Sequence, residues 1–225
     1  LVIHKPVKWT GPIFADHLAF LRSVTTRTPK MTVPSPIVLH FMGGSDPILR
    51  EAYTSLDPFW ADLIEVYRAE LAALHQAGCT YLQVDETSLV KFGDPEIRSI
   101  IEARGDDWRK LVETYVDVIN AVLSSAPSGM TVGIHVCRGN RRGFWQANAG
   151  YEFMADQLFR RLKAQFYFLE FDSPRAGPID ALKLMPEDKI VVLGLVTTKS
   201  PQLEDSEMLR TRVEEASAYV AMERL

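Results

Sequence analysis

The chain has 225 residues, of which 25 are lysine or arginine and 29 are aspartate or glutamate, so its formal net charge is -4. Hydrophobic residues make up 47% and charged residues 24% of the sequence. These values are typical of a globular protein and exclude a disordered or fibrous chain. A mildly acidic sequence without a basic stretch argues against nucleic acid or a membrane surface as a partner. No apolar run reaches the roughly 18 residues that a membrane-spanning helix needs.

Two cysteines, Cys79 and Cys137, are too few for a disulfide framework, which favours a reducing compartment. No signal peptide is recognisable, and the two observations together predict a cytoplasmic protein. The sequence begins with Leu1 rather than methionine and ends at Leu225 within a helical pattern. We therefore expect part of the protein to be missing at both ends.

Short apolar runs rich in β-branched residues alternate with longer amphipathic stretches along the sequence. Runs of this kind are typical of buried strands, especially where helices separate them. Six strands are predicted, at residues 1–7, 35–41, 80–85, 130–137, 165–171 and 189–197.

The stretches between these runs have helical spacing. Asp57 is predicted to cap a helix whose first residue is Pro58, and Gly78 is predicted to end that helix. Asp106 or Asp107 is predicted to cap the next helix. Further helices are predicted at residues 10–23, 151–162 and 206–222.

The alternation of strands and helices predicts an α/β fold with parallel strands and crossover helices. A (β/α)8 TIM barrel usually takes about 250 residues. Six strands with ragged ends fit such a barrel that lacks its first and last strands in this chain. A doubly wound open sheet is the alternative, but no glycine-rich phosphate loop follows any strand. No internal repeat or linker interrupts the sequence, so we predict one barrel domain over residues 1–225.

Polar side chains follow the predicted strands at their carboxyl ends, where a parallel barrel gathers them at one mouth and barrel enzymes place their active sites. Burying such groups without partners is costly, so their recurrence at this edge indicates function. The residues in question are His40, Asp85, Glu86, His135, Cys137, Glu170, Asp172, Thr197, Thr198 and Lys199.

Three of these side chains form a candidate metal site. His135 and Cys137 are two residues apart on one strand, so both point to the same face, roughly 6.5 Å apart. Glu170 ends the next predicted strand, roughly 4.8 Å to the side. Imidazole, thiolate and carboxylate together suit zinc. The alternative is a buried histidine beside a small apolar cysteine.

Other residues at the same edge are candidates for substrate binding. Either Asp85 or Glu86 is expected to point into the mouth, where a carboxylate could hold a substrate ammonium group; pairing with an arginine is the structural alternative. His40 is a further candidate for substrate contact. Arg138 opens a basic loop that also contains Arg141 and Arg142, which suits either an anionic substrate tail or simple solvation.

Four segments resemble the cobalamin-independent methionine synthase family, both its catalytic C-terminal barrel and shorter single-barrel relatives of the uroporphyrinogen decarboxylase/methionine synthase-like superfamily. They occur in the family's order and at similar spacing. The segments are YLQVDE (81–86), GIHVCRGNRRG (133–143), FLEFDSPRAG (168–177) and VVLGLVTTKSPQLE (191–204).

The resemblance implies an eight-stranded barrel with a zinc ion bound by histidine, cysteine, glutamate and a second cysteine. It maps the first three ligands onto His135, Cys137 and Glu170, and it implies that Asp85 holds the amino group of homocysteine. The implied reaction moves a methyl group from the polyglutamate form of 5-methyltetrahydrofolate to the homocysteine thiol, giving methionine. One departure is that no cysteine follows Lys199 in this sequence.

Three other interpretations remain open. A relative could keep the zinc-bound thiolate and use another thiol, such as coenzyme M, or another alkyl donor. A metal-free barrel like porphyrinogen decarboxylase would use the basic loop after Cys137 to hold substrate carboxylates. A barrel without a complete ligand set could serve as a binding scaffold.

Overall fold

A computed structural model describes residues 2–225. Its strands are β1 (Met31–Pro34), β2 (Tyr81–Glu86), β3 (Thr131–Val136), β4 (Phe166–Glu170) and β5 (Ile190–Gly194). Its α-helices are α1 (Ala15–Val24), α2 (Val38–Gly43), α3 (Asp46–Leu49), α4 (Leu56–Gln76), α5 (Pro95–Ala103), α6 (Trp108–Ser124) and α7 (Ser206–Ser217). Across residues 2–225, no helix is long and apolar enough to cross a membrane.

The strands form one sheet in the order β1-β2-β3-β4-β5, so neighbours in the sheet are also neighbours in sequence. Strands β1 and β2 are parallel, with Pro34 opposite Asp85. Strands β4 and β5 are also parallel, with Glu170 opposite Gly194. Helical segments connect the successive strands, as parallel pairing requires. The predicted α/β fold with parallel strands is confirmed.

The chain divides into two compact units. The first runs to Asp85 and includes Thr114–Gly133, and the second comprises Glu86–Glu113 and Ile134–Leu225. A single domain over residues 1–225 therefore stays a prediction.

Helix α4 is the longest helix of the first unit. It buries Phe59, Leu63, Leu71 and Leu74, whose spacing places them on one face. Its Glu70 is also buried and accepts hydrogen bonds from the indole of Trp9 and from the backbone N–H groups of residues 13 and 14. The carboxylate thus attaches the segment before α1 to α4.

The side chains of strand β4, in the second unit, alternate between a buried and a more exposed face. Tyr167 and Leu169 are almost fully buried, whereas Phe166, Phe168 and Glu170 on the opposite face are partly exposed. The last side chain of this alternation, Glu170, therefore points away from the buried face that holds Tyr167. This orientation brings its carboxylate to the cavity described below.

The predicted strand at residues 35–41 is wrong. The strand ends at Pro34, and residues 38–43 form α2 after a turn at Pro36. Proline has no N–H to donate to a sheet, so Pro36 cannot continue the ladder. Placing His40 at a strand end was therefore also wrong, because it lies within α2. Residues 2–7 form no strand, and Leu1 lies outside the described residues.

Several helix boundaries also differ from the predictions. Helix α4 begins at Leu56, ahead of the predicted cap at Asp57, and its N-cap is Ser55. Gly78 follows its end with φ of +94°, which confirms the predicted left-handed terminator. Asp107 caps α6 by accepting the N–H of residue 109 at 3.0 Å.

The three remaining helix predictions locate helical segments but extend them too far. The first observed helix is Ala15–Val24 and the last α-helix is Ser206–Ser217. In place of the helix predicted at 151–162, Asp156–Arg161 form a short π-helix.

Candidate functional site

A cavity of about 340 Å³ lies at the carboxyl ends of β3, β4 and β5 in the second unit. The three predicted zinc ligands all contribute to its wall. Its lining residues are His135, Cys137, Asn140, Phe168, Leu169, Glu170, Asp172, Val192, Gly194, Val196, Thr198 and Lys199.

His135 and Cys137 reach this cavity from the end of β3. Their separation by two residues places both side chains on the same side of the strand, as the sequence predicts. Cys137 is a free thiol, only 8% exposed, and its Sγ accepts the N–H of Gly139 at 3.3 Å. The thiol is thus held at the cavity wall without a disulfide partner.

Glu170 is held by two cations. Its Oε1 accepts a hydrogen bond from Lys199 Nζ. Its Oε2 accepts the backbone N–H of Arg138 at 2.9 Å and the Nη1 of the same residue at 3.1 Å. Burial alone would raise the pKa of Glu170, but the hydrogen bonds and charges of Lys199 and Arg138 outweigh it and lower the pKa. The carboxylate is therefore ionised at neutral pH.

Lys199 extends into the cavity from the segment after β5. In addition to Glu170, its Nζ lies 3.3 Å from Asp172 Oδ2. Burial lowers the pKa of Lys199, but its hydrogen bond to Glu170 and the charges of both carboxylates outweigh that effect and raise the pKa. The ammonium group is thus charged and shared between two carboxylates.

Arg138 is a buried support for Glu170. Its guanidinium donates to the backbone oxygens of Glu170, Ala149 and Ala176, and it lies 4.4 Å from the centre of the Tyr151 ring. Only 1% of the residue is exposed. These contacts engage the donors of Arg138 within the protein and hold the Glu170 carboxylate in place.

Tyr151, which the sequence analysis did not select, joins the ends of β3 and β4. Its hydroxyl donates to the carbonyl oxygen of Val136 and accepts the N–H of Glu170, both at 2.7 Å. Burial raises the pKa of Tyr151. An isolated tyrosine in a loop gives no sequence signal for such a bridge.

The basic loop after Cys137 separates into a buried and an exposed part. Arg141 and Phe144 form a tight antiparallel bridge, with φ of +54° at Arg142 and +85° at Gly143. Positive φ at both central residues is typical of a two-residue hairpin turn. Arg141 and Arg142 are exposed on this turn, unlike the buried Arg138.

The adjacent acidic residues at the end of β2 have different environments. Asp85, in the first unit, is partly exposed, and its Oδ1 accepts a 2.6 Å hydrogen bond from Gln83. Glu86, in the second unit, is fully buried, and its Oε1 accepts the N–H groups of Ser88 and Leu89. Glu86 therefore stabilises the turn after the strand, and Asp85 is the more accessible carboxylate.

His40 is buried within the first unit. Its Nδ1 lies 2.6 Å from the Tyr115 hydroxyl and its Nε2 lies 3.0 Å from Ser45 Oγ. The ring of Trp60 packs beside it, with 5.4 Å between ring centroids. Both ring nitrogens thus have protein partners, an arrangement typical of a structural histidine.

A buried lysine, Lys91, also belongs to the second unit and was not selected from the sequence. Its Nζ donates to Gln146 Oε1 at 2.7 Å. Burial lowers the pKa of Lys91, and the nearby Cys137 and Glu86 counteract this only in part. It lies in a short segment, Leu89–Gly93, whose sequence pattern does not indicate a charged interior.

The donor types at the cavity fit zinc, but their present arrangement does not enclose an ion. Across residues 2–225, no three histidine, cysteine, aspartate or glutamate side chains are grouped closely enough to hold a metal. The carboxylate of Glu170 instead faces Lys199 and Arg138. The side chains of His135, Cys137 and Glu170 share one cavity wall. The ammonium group of Lys199 is paired with the Glu170 carboxylate.

Comparison with known proteins gives consistent matches over almost the whole chain. The family model described as "Cobalamin-independent synthase, Catalytic domain" matches residues 11–225. The chain is 33% identical to the uncharacterized protein YxjH of Bacillus subtilis, over 98% of this chain and 60% of YxjH.

Two solved structures share the fold. One is a putative vitamin-B12 independent methionine synthase from Listeria monocytogenes, with a TM-score of 0.76 and 29% identity over 99% of this chain and 64% of that one. The other is a B12-independent methionine synthase from Shewanella sp. in complex with selenomethionine. It has a TM-score of 0.66 and 19% identity over 96% of this chain and 58% of that one.

These matches confirm both the family resemblance and the barrel fold class. The chain spans about 60% of the length of YxjH and 64% of the Listeria chain. With the family model covering residues 11–225, the chain belongs to the family of cobalamin-independent synthase catalytic domains.

Proposed function

We propose that the chain is the catalytic part of a zinc-dependent methyltransferase. The proposed reaction moves the methyl group of 5-methyltetrahydrofolate, in its polyglutamate form, to the thiol of homocysteine and gives methionine. The observation that carries this proposal is the convergence of His135, Cys137 and Glu170 on one cavity in a member of this family.

His135, Cys137 and Glu170 are the proposed zinc ligands, because they supply nitrogen, sulfur and oxygen donors from one cavity wall. A free thiol has a pKa of about 8.5 and is mostly protonated at neutral pH. Bound zinc would favour the thiolate form of the substrate and so make its sulfur nucleophilic.

The surrounding residues prepare the site. Arg138 and Tyr151 are proposed positioning residues, because both contact Glu170 from the buried side. Phe168, Val192 and Val196 give the cavity apolar surface, which limits the water that could compete with the thiol.

Asp85 is the proposed partner of the homocysteine amino group, and its partial exposure favours it over the buried Glu86. Glu86 and His40 were also predicted to bind substrate, and we propose that both act indirectly, Glu86 through the backbone turn after β2 and His40 through the side chains beside it. Arg141 and Arg142 lie exposed on their turn, where they could hold the anionic tail of the methyl donor.

Two further observations support the proposal. The Shewanella relative is described in complex with selenomethionine, a selenium analogue of the proposed product. Both cysteines of the present chain are free thiols, as expected in the reducing cytoplasm that we propose as its location.

The thiol acceptor and the methyl donor define the main alternative. A related alkyltransferase could use the same three ligands with a different thiol or donor. The family match favours both of these over a metal-free barrel like porphyrinogen decarboxylase.

An isotope assay tests the proposal. The naturally expressed protein is supplied with methyl-labelled 5-methyltetrahydrofolate triglutamate and either homocysteine or coenzyme M, and labelled products are separated. We expect labelled methionine with homocysteine and at least about a hundredfold loss of rate in Cys137→Ser, since such a loss is typical when a metal site is disturbed.

Cys79→Ser is the matched control, because Cys79 is also a buried free thiol but belongs to the other unit. It should keep most of the activity. Labelling of coenzyme M alone would assign the alternative acceptor, and full activity in metal-depleted protein would refute the zinc-dependent reaction.

A further inference from the structure

We infer that Lys199, which donates a hydrogen bond to one carboxylate oxygen of Glu170, competes with zinc for that oxygen and must move away for zinc to bind. Lys199 would thus be a positioning residue that sets the metal affinity of the site. This inference rests on the proposed zinc-dependent function.

The ion pair of Lys199 and Glu170 is sheltered from water. The side chains of Lys199, Glu170 and Asp172 are 11%, 12% and 7% exposed, so water screens their charges far less than it would at the surface. A sheltered ammonium group on a carboxylate is a strong competitor for any cation that approaches the same oxygen.

The two carboxylate oxygens of Glu170 are held by different partners. Oε2 is fixed by the backbone and guanidinium of Arg138, which is buried and bonded to three further backbone oxygens. Oε1 is held by Lys199, whose four-carbon stem is flexible. Oε1 is therefore the oxygen that can be released by moving one side chain.

Lys199 also has a second acceptor. Its Nζ lies 3.3 Å from Asp172 Oδ2, and this carboxylate also lines the cavity. When a metal takes Oε1, the ammonium group can shift toward Asp172 and remain paired. The exchange therefore needs no unpaired buried charge.

The charge of Lys199 is the part that competes. Lys199→Met removes the charge and keeps most of the apolar stem, so we expect zinc to bind at least about tenfold more tightly, because a like charge beside a binding cation is strongly unfavourable. Lys199→Arg retains the charge and should stay within about threefold of the natural protein.

Asp172→Asn tests the second acceptor. It leaves the displaced ammonium group without a carboxylate partner, so zinc should bind about three- to tenfold more weakly. Lys183→Met is the matched control, because Lys183 forms an exposed ion pair with Asp180. It should leave zinc affinity unchanged.

The test measures zinc affinity of the metal-free, naturally expressed protein by competition with a chromophoric chelator. Cobalt substitution gives an independent reading, since a cobalt–thiolate absorption band reports on Cys137. Thermal unfolding checks that each variant is folded, and Lys199→Gln replaces the methionine variant if that one does not fold.

Tighter zinc binding in the charge-removing variants, with no change in the arginine and control variants, supports the inference. Unchanged or weaker binding in those variants overturns it, provided that Cys137→Ser abolishes zinc binding; the proposed function then stands. If Cys137→Ser binds zinc as the natural protein does, or neither binds it, the proposed zinc site fails and the inference with it.

Discussion

Glu70 in the first unit and Glu170 in the second show how differently a protein can hold a carboxylate that is largely sheltered from water. Glu70 in the first unit accepts hydrogen bonds from Trp9 and from the N–H groups of residues 13 and 14, all of them neutral donors. Glu170 in the second unit faces the cations of Arg138 and Lys199 at the wall of a cavity.

The contrast teaches that burial of a carboxylate alone does not indicate a metal site. Glu70 is more buried than Glu170, yet its carboxylate holds an indole and two backbone N–H groups. The other residues lining the cavity beside it are apolar or aromatic. Glu170 combines a sheltered charge, a displaceable cation and two neighbouring donors, His135 and Cys137. The type of partner separates a structural carboxylate from a candidate ligand.

The largest effect is expected from removing the buried guanidinium of Arg138. Arg138→Met removes the guanidinium that pairs with Glu170 and donates to three backbone oxygens, while Lys199 remains on the carboxylate. The free energy of unfolding should therefore fall by about 3–5 kcal/mol. Chemical denaturation measures the change.

Arg160→Met is the control for that experiment, because Arg160 forms an exposed pair with Asp156 at 3.6 Å. Its effect should stay below about 0.5 kcal/mol. A loss for Arg138→Met no larger than the control would show that the buried guanidinium does not support the site.

A smaller effect is expected at Glu70. Glu70→Gln turns an amide N–H toward donors that need an acceptor, so the free energy of unfolding should fall by about 1–3 kcal/mol. Zinc affinity should not change, whereas Glu170→Gln should weaken it strongly. Equal zinc affinities in these two variants would remove the distinction between the two carboxylates.

The smallest effect is a pH dependence of stability that depends on Lys199. The pKa of Glu170 is lowered from 4.5 and that of Lys199 is raised from 10.5. Their ion pair therefore stabilises the fold fully between those two ordinary values. The contribution is lost as pH falls through the lowered pKa of Glu170 or rises through the raised pKa of Lys199.

The measurement is the difference in melting temperature between the natural protein and Lys199→Met from about pH 3 to about pH 11. This range extends about 1.5 units below the ordinary pKa of Glu170 and about 0.5 units above that of Lys199. The difference should be greatest in the middle of this range and shrink toward both ends. A difference that does not vary with pH would show that the pair adds no ionic stabilisation.

The sequence predicted much of the fold because its signals are local. Four of the five observed strands were located within a few residues, since β-branched runs such as KIVVLGLVT at 189–197 are typical of buried strands. The strand at Met31–Pro34 was missed because the apolar run at residues 35–41 is stronger, and Pro36 turns that run into a helix.

The sequence also predicted that His135, Cys137 and Glu170 lie at one edge of the sheet, because strand periodicity and parallel strand order are enough for that prediction. It could not show that Lys199 pairs with Glu170, since that contact depends on how the segment after β5 returns to the cavity. The bridge made by Tyr151 likewise depends on a loop path that no periodic pattern encodes.

Metal content with ligand identity is the most direct test of the proposed zinc site. Elemental analysis and X-ray absorption at the zinc edge are applied to the naturally expressed protein, Cys137→Ser and Glu170→Gln. The account predicts one zinc per chain with sulfur coordination in the natural protein, and loss of the metal in both variants. Zinc retained unchanged in both variants, or no zinc bound by the natural protein, would contradict it.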